Sequence, residues 1–323
     1  MAATRRSEIV DTTGNPLESI SRLTLGTAQL GLPYGLANRS GRPDDRMARE
    51  IVETAVAGGV NAFDTAAAYG DSEEVLGRVL AALGLAGEVV VVTKVRPLTP
   101  EELDDPAVAA AAIERSVANS RKRLRLDRLP VVLFHREADS RHLDVLARMK
   151  RSGRVGRIGV SCEGRPGDAL SLLADGRVDA IQVPASVLDH LHRTRGVFAA
   201  AARSGKVVFV RSVFLQGLLV MPEESVPEPL QAVLPARRRL AALAADAGVS
   251  LAELAVRYLL GLDGVRSLLT GVETPDQIRA NIEMIRRGPL PPEVMAAVEQ
   301  AVPELPERIL DPGRWWPGDA VTR

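Results

Sequence analysis

Residues 61–80 read N-A-F-D-T-A-A-A-Y-G-D-S-E-E-V-L-G-R-V-L, and this stretch decides how the rest of the chain is interpreted. Its first residues close an apolar run that predicts a short buried strand, with Asp64 at the end of that strand. Tyr69 follows in a predicted loop, and residues 73–80 are predicted to form a helix. A carboxylate at a strand end with a tyrosine in the next loop is an arrangement in which α/β barrels place their chemistry.

The chain as a whole alternates between segments typical of buried strands and segments typical of helices. We predict eight strands, nearly all of them followed by a helix: Leu23–Ala28, the strand that ends at Asp64, Glu88–Val95, Leu129–His135, Arg157–Cys162, Ala180–Pro184, Val207–Phe214 and Arg266–Gly271. This order is typical of an α/β fold of the (β/α)8 TIM barrel type. We also predict a β-hairpin at residues 8–20 before the barrel and closing C-terminal helices at Pro275–Arg286 and Pro292–Val302.

The main alternative fold is a doubly wound parallel sheet, which usually carries the motif G-x-G-x-x-G after its first strand. The nearest match here is formed by Gly153, Gly156 and Gly159, and it precedes a strand instead of following one. We therefore expect residues 1–323 to form a single barrel domain.

The composition narrows the class of protein. Lysine and arginine together number 41, as do aspartate and glutamate, and aromatic residues make up 3 % of the chain, so we expect no nucleic-acid partner. Cys162 is the single cysteine, which excludes an internal disulfide and cysteine-rich metal sites. No apolar run approaches the ~20 residues of a membrane span, and the first residues do not resemble a signal peptide. We therefore expect a cytoplasmic protein without a membrane partner.

Residues 61–80 closely resemble one family, the aldo-keto reductases, which carry the pattern D-T-A-x-x-Y-G-x-S-E-x-x-L-G. The pattern is matched here at Asp64, Thr65, Ala66, Tyr69, Gly70, Ser72, Glu73, Leu76 and Gly77. The resemblance extends from roughly Leu23 to Arg286. It implies a barrel enzyme that reversibly reduces an aldehyde or ketone to an alcohol with hydride from NADPH or NADH.

Three ionisable residues stand at the ends of successive predicted strands, namely Asp64, Lys94 and His135, and Tyr69 lies in the loop beside them. Each type of residue taken singly is more often a helix cap, a solvated charge or a packing group, but four together at one end of a barrel indicate a site. The resemblance implies that these four residues are the catalytic tetrad and that Tyr69 is the proton donor. The reference pKa of tyrosine is near 10, and the Lys94 ammonium would lower it, while Asp64 holds Lys94 and His135 orients the carbonyl oxygen.

The resemblance also implies that a nicotinamide cofactor lies extended across the mouth of the barrel. Cofactor-binding residues are then expected at Gly26, Thr27, Asp64, Ser161, Gln182, Arg211, Ser212, Val213, Phe214, Gln216, Gly217, Gly271, Glu273, Thr274, Gln277 and Asn281. Two positions depart from the family pattern. Cys162 replaces the asparagine that usually follows the serine at Ser161, which weakens the expected anchor for the carboxamide. Arg211 replaces an aromatic residue that commonly stacks on the nicotinamide, and a guanidinium can stack as well.

The sequence contains one indication for NADPH and another for NADH as the cofactor. The family commonly uses NADPH, which is the leading expectation, and often places Ser, Lys or Arg just after the glycine that Gly271 matches, facing the 2′-phosphate. This chain carries Glu273 as the second residue after that glycine. A carboxylate there would repel a phosphate and could accept a hydrogen bond from a free ribose hydroxyl, which favours NADH. Arg279 is a cation that could still serve NADPH.

The substrate is expected to be a small carbonyl compound or alcohol. The proline-rich stretch 221–235, predicted to be a surface loop, and the pair Trp315 and Trp316 are candidates to shape its pocket, and the tryptophans could equally seal the barrel edge. Two alternatives to a reductase stay open. One is a cofactor-binding regulatory subunit with little turnover. The other is a barrel lyase or isomerase that forms a Schiff base on Lys94 and needs no cofactor.

Overall fold

The structure of the protein is a computed structural model that describes residues 19–164 and 167–315. Eight parallel strands close into a barrel in chain order, and the first strand pairs with the last. They are β1 (Leu23–Gly26), β2 (Ala62–Asp64), β3 (Val90–Val95), β4 (Leu129–Phe134), β5 (Val155–Ser161), β6 (Ala180–Pro184), β7 (Val207–Arg211) and β8 (Ser267–Gly271). The predicted (β/α)8 barrel is confirmed. The predicted hairpin at residues 8–20 lies almost entirely outside the described residues.

Helices follow most of the strands and surround the barrel. The α-helices of the described residues are α1 (Ala28–Gly31), α2 (Asp45–Ala57), α3 (Ser72–Ala82), α4 (Pro100–Asp104), α5 (Pro106–Leu124), α6 (Leu143–Arg151), α7 (Ala169–Ala174), α8 (Leu191–Thr194), α9 (Val197–Ser204), α10 (Leu234–Asp246), α11 (Leu251–Leu260), α12 (Pro275–Arg286), α13 (Pro292–Ala301) and α14 (Glu307–Leu310). Short 3₁₀ helices occupy Glu137–His142, Leu215–Gly217, Glu223–Ser225, Glu228–Val233 and Pro312–Arg314. None of the helices in this part of the chain has both the length and the apolarity needed to cross a membrane.

The interior of the barrel is apolar, whereas the mouth at the carboxyl ends of the strands is polar. An apolar cluster fills the interior: Ile20, Ala62, Val92, Val131, Leu133, Ala180, Val207 and Phe209. Because side chains alternate between the two faces of a strand, the residue two positions further on faces the same way. The residues two positions after Ala62, Val92, Leu133, Ala180 and Phe209 are, in turn, Asp64, Lys94, His135, Gln182 and Arg211. The strand period therefore places these polar groups at the mouth, above the apolar cluster.

The opposite face of each strand packs beneath the helices in a second, larger apolar cluster. Strand β3 shows the arrangement, since Val91 and Val95 belong to this outer cluster and Val92 belongs to the inner one. A strand that is buried on both faces needs apolar residues at successive positions, which explains the four consecutive valines from Val89 to Val92.

The end of β1 differs from its prediction. The strand is predicted to continue to Ala28, but the chain leaves it two residues earlier. The backbone N–H and the hydroxyl of Thr27 both donate to the carbonyl oxygen of Asp64, at 2.9 and 2.8 Å. The Ser72 hydroxyl completes this cluster, because it donates to the Thr27 carbonyl oxygen at 2.6 Å and lies 2.9 Å from the Thr65 hydroxyl. These bonds turn the chain from strand to helix.

Helix α3 is fixed to its neighbours by residues of the 61–80 stretch. The buried Glu73 carboxylate accepts a hydrogen bond from the Thr93 hydroxyl at 2.6 Å and pairs with Arg123 at 3.3 Å. Gly77 lies against the end of α5, where an added Cβ atom would come within 2.3 Å of the Arg123 carbonyl oxygen. The stretch therefore supplies structural residues as well as the two expected in the site.

The end of β7 also differs from its prediction. The strand is predicted to reach Phe214 but ends at Arg211. Ser212 has a φ of 63°, which is left-handed backbone and cannot continue a strand. The chain enters the 3₁₀ helix Leu215–Gly217 directly afterwards.

The proline-rich stretch 221–235 is predicted to be a surface loop, which is wrong in part. It contains two of the 3₁₀ helices, and α10 begins at Leu234 within it. Several of its apolar side chains are buried in the outer cluster: Met221, Val226, Leu230 and Val233. The high proline content suggested a surface loop and did not indicate that these side chains are buried.

The C-terminal tail is described as far as Trp315. Its indole ring is buried in the outer apolar cluster, and the indole N–H donates to the carbonyl oxygen of Ile309 at 3.2 Å. This packing favours the sealing role over pocket lining for Trp315. Trp316 lies outside the described residues.

We predict that Gly77→Ala destabilises the barrel, although alanine is the better helix former by about 1 kcal/mol. The added methyl group would meet the Arg123 carbonyl oxygen at 2.3 Å, so α3 and α5 must separate, at a cost of about 1–3 kcal/mol. Urea titration measures the free energy of unfolding. Gly176→Ala is the control, because Gly176 is exposed and an added Cβ there meets none of the described residues within 4 Å. Equal stability of the two variants would contradict the role given to Gly77.

Candidate active site

The four side chains expected in the tetrad meet at the carboxyl end of the barrel. Asp64 is the last residue of β2, Lys94 is next to last in β3, and His135 directly follows β4. Tyr69 reaches them from the loop between β2 and α3. Residues separated by up to 71 positions in the chain, from Asp64 to His135, are thus brought together, as the strand order requires.

The centre of the site is a buried ion pair. The Lys94 ammonium donates to Asp64 Oδ2 at 2.7 Å and to the Thr65 carbonyl oxygen at 3.0 Å, and the two side chains are 1 % and 3 % exposed. The other Asp64 oxygen accepts a hydrogen bond from the Gln182 amide at 2.7 Å. Burial alone would lower the pKa of Lys94, but the Asp64 carboxylate and the Tyr69 hydroxyl raise that pKa above its usual value. Lys94 is therefore held protonated.

Tyr69 lies against both Lys94 and His135. The Lys94 nitrogen is 4.9 Å from the centre of the Tyr69 ring. The His135 ring meets the Tyr69 ring edge-on, with 5.5 Å between ring centres and 88° between planes. Gly31 permits this position, because an added Cβ there would lie 1.9 Å from the Tyr69 carbonyl oxygen. The phenol is thereby held between a cation and an imidazole.

His135 is a neutral imidazole in this setting. Burial, followed by the positive charges of Lys94, Arg211 and Arg136, lowers its pKa to about 3. Its Nδ1 atom is buried and has no hydrogen-bond partner within residues 19–164 and 167–315. A neutral imidazole has one N–H donor and one acceptor nitrogen. His135 therefore keeps hydrogen-bonding capacity for a group that enters the mouth.

Ser161 and Gln182 lie side by side on β5 and β6, as expected, but they are partly engaged by their surroundings. The Ser161 hydroxyl is 3.5 Å from Gln182 Oε1, and the Gln182 amide nitrogen already donates to Asp64. Cys162 is fully buried, and this burial raises the pKa of its thiol well above the usual value. A buried thiol does not replace an asparagine amide, so the predicted carboxamide anchor would consist of Ser161 and Gln182 alone, and their role stays a prediction.

The loop after β7 has an unusual backbone. Ser212, Leu215 and Gln216 have φ angles of 63°, 46° and 52°, and Gly217 follows with 91°. Residues other than glycine rarely adopt such angles, which cost about 1–3 kcal/mol each and cluster at ligand sites. Beside them Val213 and Leu215 are buried, and Phe214 is half-buried. The stretch expected to bind the pyrophosphate therefore has a strained backbone anchored by apolar side chains.

Tyr34, in the loop after β1, is a residue of the mouth that the sequence analysis missed. Its hydroxyl accepts a hydrogen bond from the Gln216 amide at 3.2 Å, and the backbone N–H of Ala37 donates to the Gln216 carbonyl oxygen at 3.2 Å. Burial raises the pKa of Tyr34, and the neighbouring Tyr69 and Arg211 also act on it. A signal was present, because aromatic residues in loops at the carboxyl end of a barrel are candidates for the site.

Three residues at the expected adenosine end have structural partners. Thr274 and Gln277 cap α12 reciprocally: the backbone N–H of Gln277 donates to the Thr274 hydroxyl at 3.3 Å, and that of Thr274 donates to Gln277 Oε1 at 3.2 Å. The buried Asn281 amide donates to the Thr270 hydroxyl at 3.0 Å. These bonds explain the three residues without a ligand and leave their cofactor roles as predictions.

Gly271 and Glu273 share a neighbour that the sequence analysis did not single out, Gln29. An added Cβ at Gly271 would come within 2.3 Å of the Gln29 side-chain oxygen, and the Gln29 amide donates to Glu273 Oε1 at 3.4 Å. The Arg279 guanidinium instead pairs with Asp276 at 2.5 Å. Glu273 thus has a neutral partner, whereas Arg279 is paired with a carboxylate.

The residues at the mouth fit a cofactor that carries a nicotinamide and phosphates. Among the described residues, one ring nitrogen of His135 has no partner, Arg211 has N–H groups beyond the two hydrogen bonds it makes, and the loop after β7 is strained. A polar ligand across the mouth would account for each of these features. Gly26 and Thr27 lie at the rim of the mouth. Gly26 packs on Leu269, and the Thr27 hydroxyl already donates a hydrogen bond to the Asp64 carbonyl oxygen.

Comparison with known proteins agrees with this geometry. The sequence profile of the Aldo/keto reductase family matches residues 22–303. Two proteins described as uncharacterized oxidoreductases, from Mycobacterium bovis and Mycobacterium tuberculosis, are each 32 % identical over 289 residues, covering 81 % of this chain and 84 % of the relative.

Solved structures share the fold. The aldo-keto reductase AKR11C1 from Bacillus halodurans, in its holo form, has a TM-score of 0.70 at 22 % identity and covers 90 % of this chain and 96 % of its own. The glycerol dehydrogenase AKR11B4 from Gluconobacter oxydans has a TM-score of 0.70 at 24 % identity, with 87 % and 91 % covered. From the profile match, the relatives and the barrel together, the chain belongs to the aldo/keto reductase family of NAD(P)H-dependent oxidoreductases.

Proposed function

We propose that the protein reduces an aldehyde or ketone to an alcohol, with hydride from NADPH and a proton from Tyr69. The observation that carries this proposal is the position of Tyr69 beside the Lys94 ammonium, which Asp64 holds by a hydrogen bond of 2.7 Å. A bound reduced nicotinamide supplies the hydride that the carbonyl carbon receives.

Each tetrad residue has a task that follows from the charge that develops. Hydride addition makes the carbonyl oxygen negative, so that oxygen must receive a proton, which the Tyr69 hydroxyl donates. The Lys94 ammonium stabilises the phenolate that remains, and its raised pKa keeps it charged at neutral pH. His135 is neutral because its pKa is lowered to about 3. It donates an N–H to the carbonyl oxygen and orients that oxygen, and it stays neutral throughout the reaction.

The Schiff-base alternative is disfavoured by the state of Lys94. A lysine that attacks a carbonyl must be neutral, which barrels achieve by lowering its pKa through burial or a second cation. Here the Asp64 carboxylate at 2.7 Å raises the pKa of Lys94 instead. The regulatory-subunit alternative differs from the reductase only in turnover, so activity measurements separate the two.

We predict that borohydride added together with benzaldehyde leaves Lys94 unmodified, because a protonated and ion-paired amine does not form the Schiff base that borohydride traps. Mass spectrometry of the digested protein measures the modification. The exposed Lys122 and the half-buried Lys150 and Lys206 of the same sample are the internal reference for non-specific labelling. A benzyl adduct concentrated on Lys94 would favour the lyase or isomerase alternative.

We predict that Tyr69→Phe lowers kcat for NADPH-dependent reduction of benzaldehyde by about 10²–10⁴-fold, the usual contribution of a general acid. The Kd for NADPH should stay within a few fold of the parent value, because the variant loses one hydroxyl at the tetrad. Tyr258→Phe is the matched control, since Tyr258 is buried within the outer apolar cluster and lies outside the tetrad. Retained turnover in Tyr69→Phe would exclude Tyr69 as the donor, and a parent that binds NADPH without turnover would support the regulatory alternative.

We also propose NADPH as the cofactor, with NADH as the alternative that Glu273 favours. The only support for NADPH is that the family commonly uses it. Arg279, the candidate partner of the 2′-phosphate, adds no support because it is paired with Asp276 at 2.5 Å. That pair is exposed, with 60 % and 91 % of the two side chains accessible, so a phosphate can displace the carboxylate at small cost.

We predict that Glu273→Ser tightens NADPH binding by about tenfold, equivalent to about 1.4 kcal/mol, because it removes a negative charge near the 2′-phosphate. NADH should bind the same or more weakly, since the ribose loses an acceptor. Fluorescence titration of each cofactor measures both Kd values. Glu283→Ser is the control, because Glu283 lies at the far end of α12 and is paired with Arg286. An unchanged ratio of the two Kd values would remove Glu273 as the selector.

A further inference from the structure

Arg211 introduces a positive charge into the mouth that the tetrad does not require. It ends β7 two positions after Phe209, a member of the inner apolar cluster, so its side chain leaves the strand on the interior face. The guanidinium donates to the Cys162 carbonyl oxygen at 3.1 Å and to the Ser212 hydroxyl at 3.2 Å. These bonds fix the charge at the carboxyl end of the barrel.

The charge of Arg211 is not neutralised by a neighbouring acid. Both of its hydrogen-bond partners are neutral, and no carboxylate in the described part of the chain forms an ion pair with it. The Lys94 ammonium, by contrast, is compensated by Asp64 at 2.7 Å. Glu137 is an acid near Cys162, but its carboxylate is held by two backbone N–H groups at 3.0 and 3.2 Å. Within the described residues, Arg211 is therefore a cation beside the tetrad that no carboxylate pairs with.

Like charge and burial disfavour a second cation at this place, and the surroundings of His135 illustrate both effects. Its imidazole lies in the same mouth, and four effects lower its pKa, in decreasing order: burial and the positive charges of Lys94, Arg211 and Arg136. The imidazolium and the oxidised nicotinamide ring are both planar aromatic cations. Whatever penalises the first in this mouth also penalises the second.

We propose that Arg211 makes the site bind the reduced nicotinamide more tightly than the oxidised nicotinamide. The proposal rests on the proposed function, with the ring at the position where Arg211 replaces the stacking aromatic residue. The oxidised ring is a cation and the reduced ring is neutral, so like-charge repulsion acts on one form only. For charges in contact at a partly buried site, this repulsion corresponds to a ratio of Kd values on the order of 10–100.

This selectivity bears on how the enzyme is loaded when both forms of the cofactor are present. The neutral form occupies the site at concentrations where the cationic form does not, and the oxidised product leaves quickly after each turnover. The equilibrium constant of the reaction in solution is unchanged. The site is nevertheless protected from inhibition by oxidised cofactor, which suits an enzyme that works in the direction of carbonyl reduction.

The test is a comparison of the Kd values for NADPH and NADP⁺ in the parent, in Arg211→Gln and in Arg211→Lys, measured by calorimetry without substrate. The two cofactor forms share every phosphate and ribose, so their ratio isolates the charge of the ring. We expect the parent to bind NADPH at least tenfold more tightly than NADP⁺. Arg211→Gln should lower this ratio at least fivefold, mainly by tightening NADP⁺, and Arg211→Lys should keep it. Arg211→Tyr, which restores the family residue, should behave as Arg211→Gln does.

Two results would overturn the proposal, and they are distinguishable. A parent that binds both forms with the same ratio as Arg211→Gln would exclude Arg211 as the source of selectivity and leave the reductase function intact. A parent that binds neither NADPH nor NADH would remove the proposed function and, with it, the inference about Arg211. Thermal unfolding of each variant shows whether it is folded, and the Arg211→Lys variant keeps the comparison valid if the neutral variant is unstable.

Discussion

Two opposite charges buried at the mouth of the barrel impose the strongest constraint on this structure. Removing Lys94 and Asp64 from water costs several kcal/mol per ion, which is offset only when the geometry is good and the remaining polar atoms are bonded. The Thr65 carbonyl oxygen and the Gln182 amide satisfy that condition. Because the partners come from β2, β3 and β6, the pair is stable only when the barrel is closed. The arrangement proposed to be catalytic thus also depends on completion of the fold.

The polar residues of the 61–80 stretch divide into two groups with different demands. Thr65, Ser72 and Glu73 are satisfied by other side chains and by backbone, and they fasten the first three strands to α3 and α5. Asp64 and Tyr69 point instead to the mouth, where their partners are charged or aromatic. A single short pattern therefore encodes both the scaffold and part of the chemistry, which is why it carries so much of the family resemblance.

The period of the strands made the barrel and the inward placement of Asp64, Lys94 and His135 predictable, because a residue in the inward phase must face the mouth once eight strands close. No comparable periodicity in the sequence shows which residue a polar side chain will form a hydrogen bond with. Gln277 and Asn281 resemble cofactor ligands in sequence, yet they bond to Thr274 and Thr270. Tyr34 lies in an aperiodic loop, so its type and position made it a candidate for the mouth, but nothing in the sequence indicated its hydrogen bond with Gln216. The predicted extent of one domain over residues 1–323 stays a prediction.

The pairing of β1 with β8 has a consequence for the synthesis of the protein. These strands stand near the two ends of the described chain, so β1 keeps an unpaired edge until the ribosome has delivered β8. Pairing over such a distance along the chain is slow compared with local helix formation. A ligand that needs strand ends from the whole ring binds only chains that have closed. By mass action, we expect such a ligand to shift newly synthesised chains toward the complete barrel, so that the supply of cofactor affects how much folded enzyme accumulates.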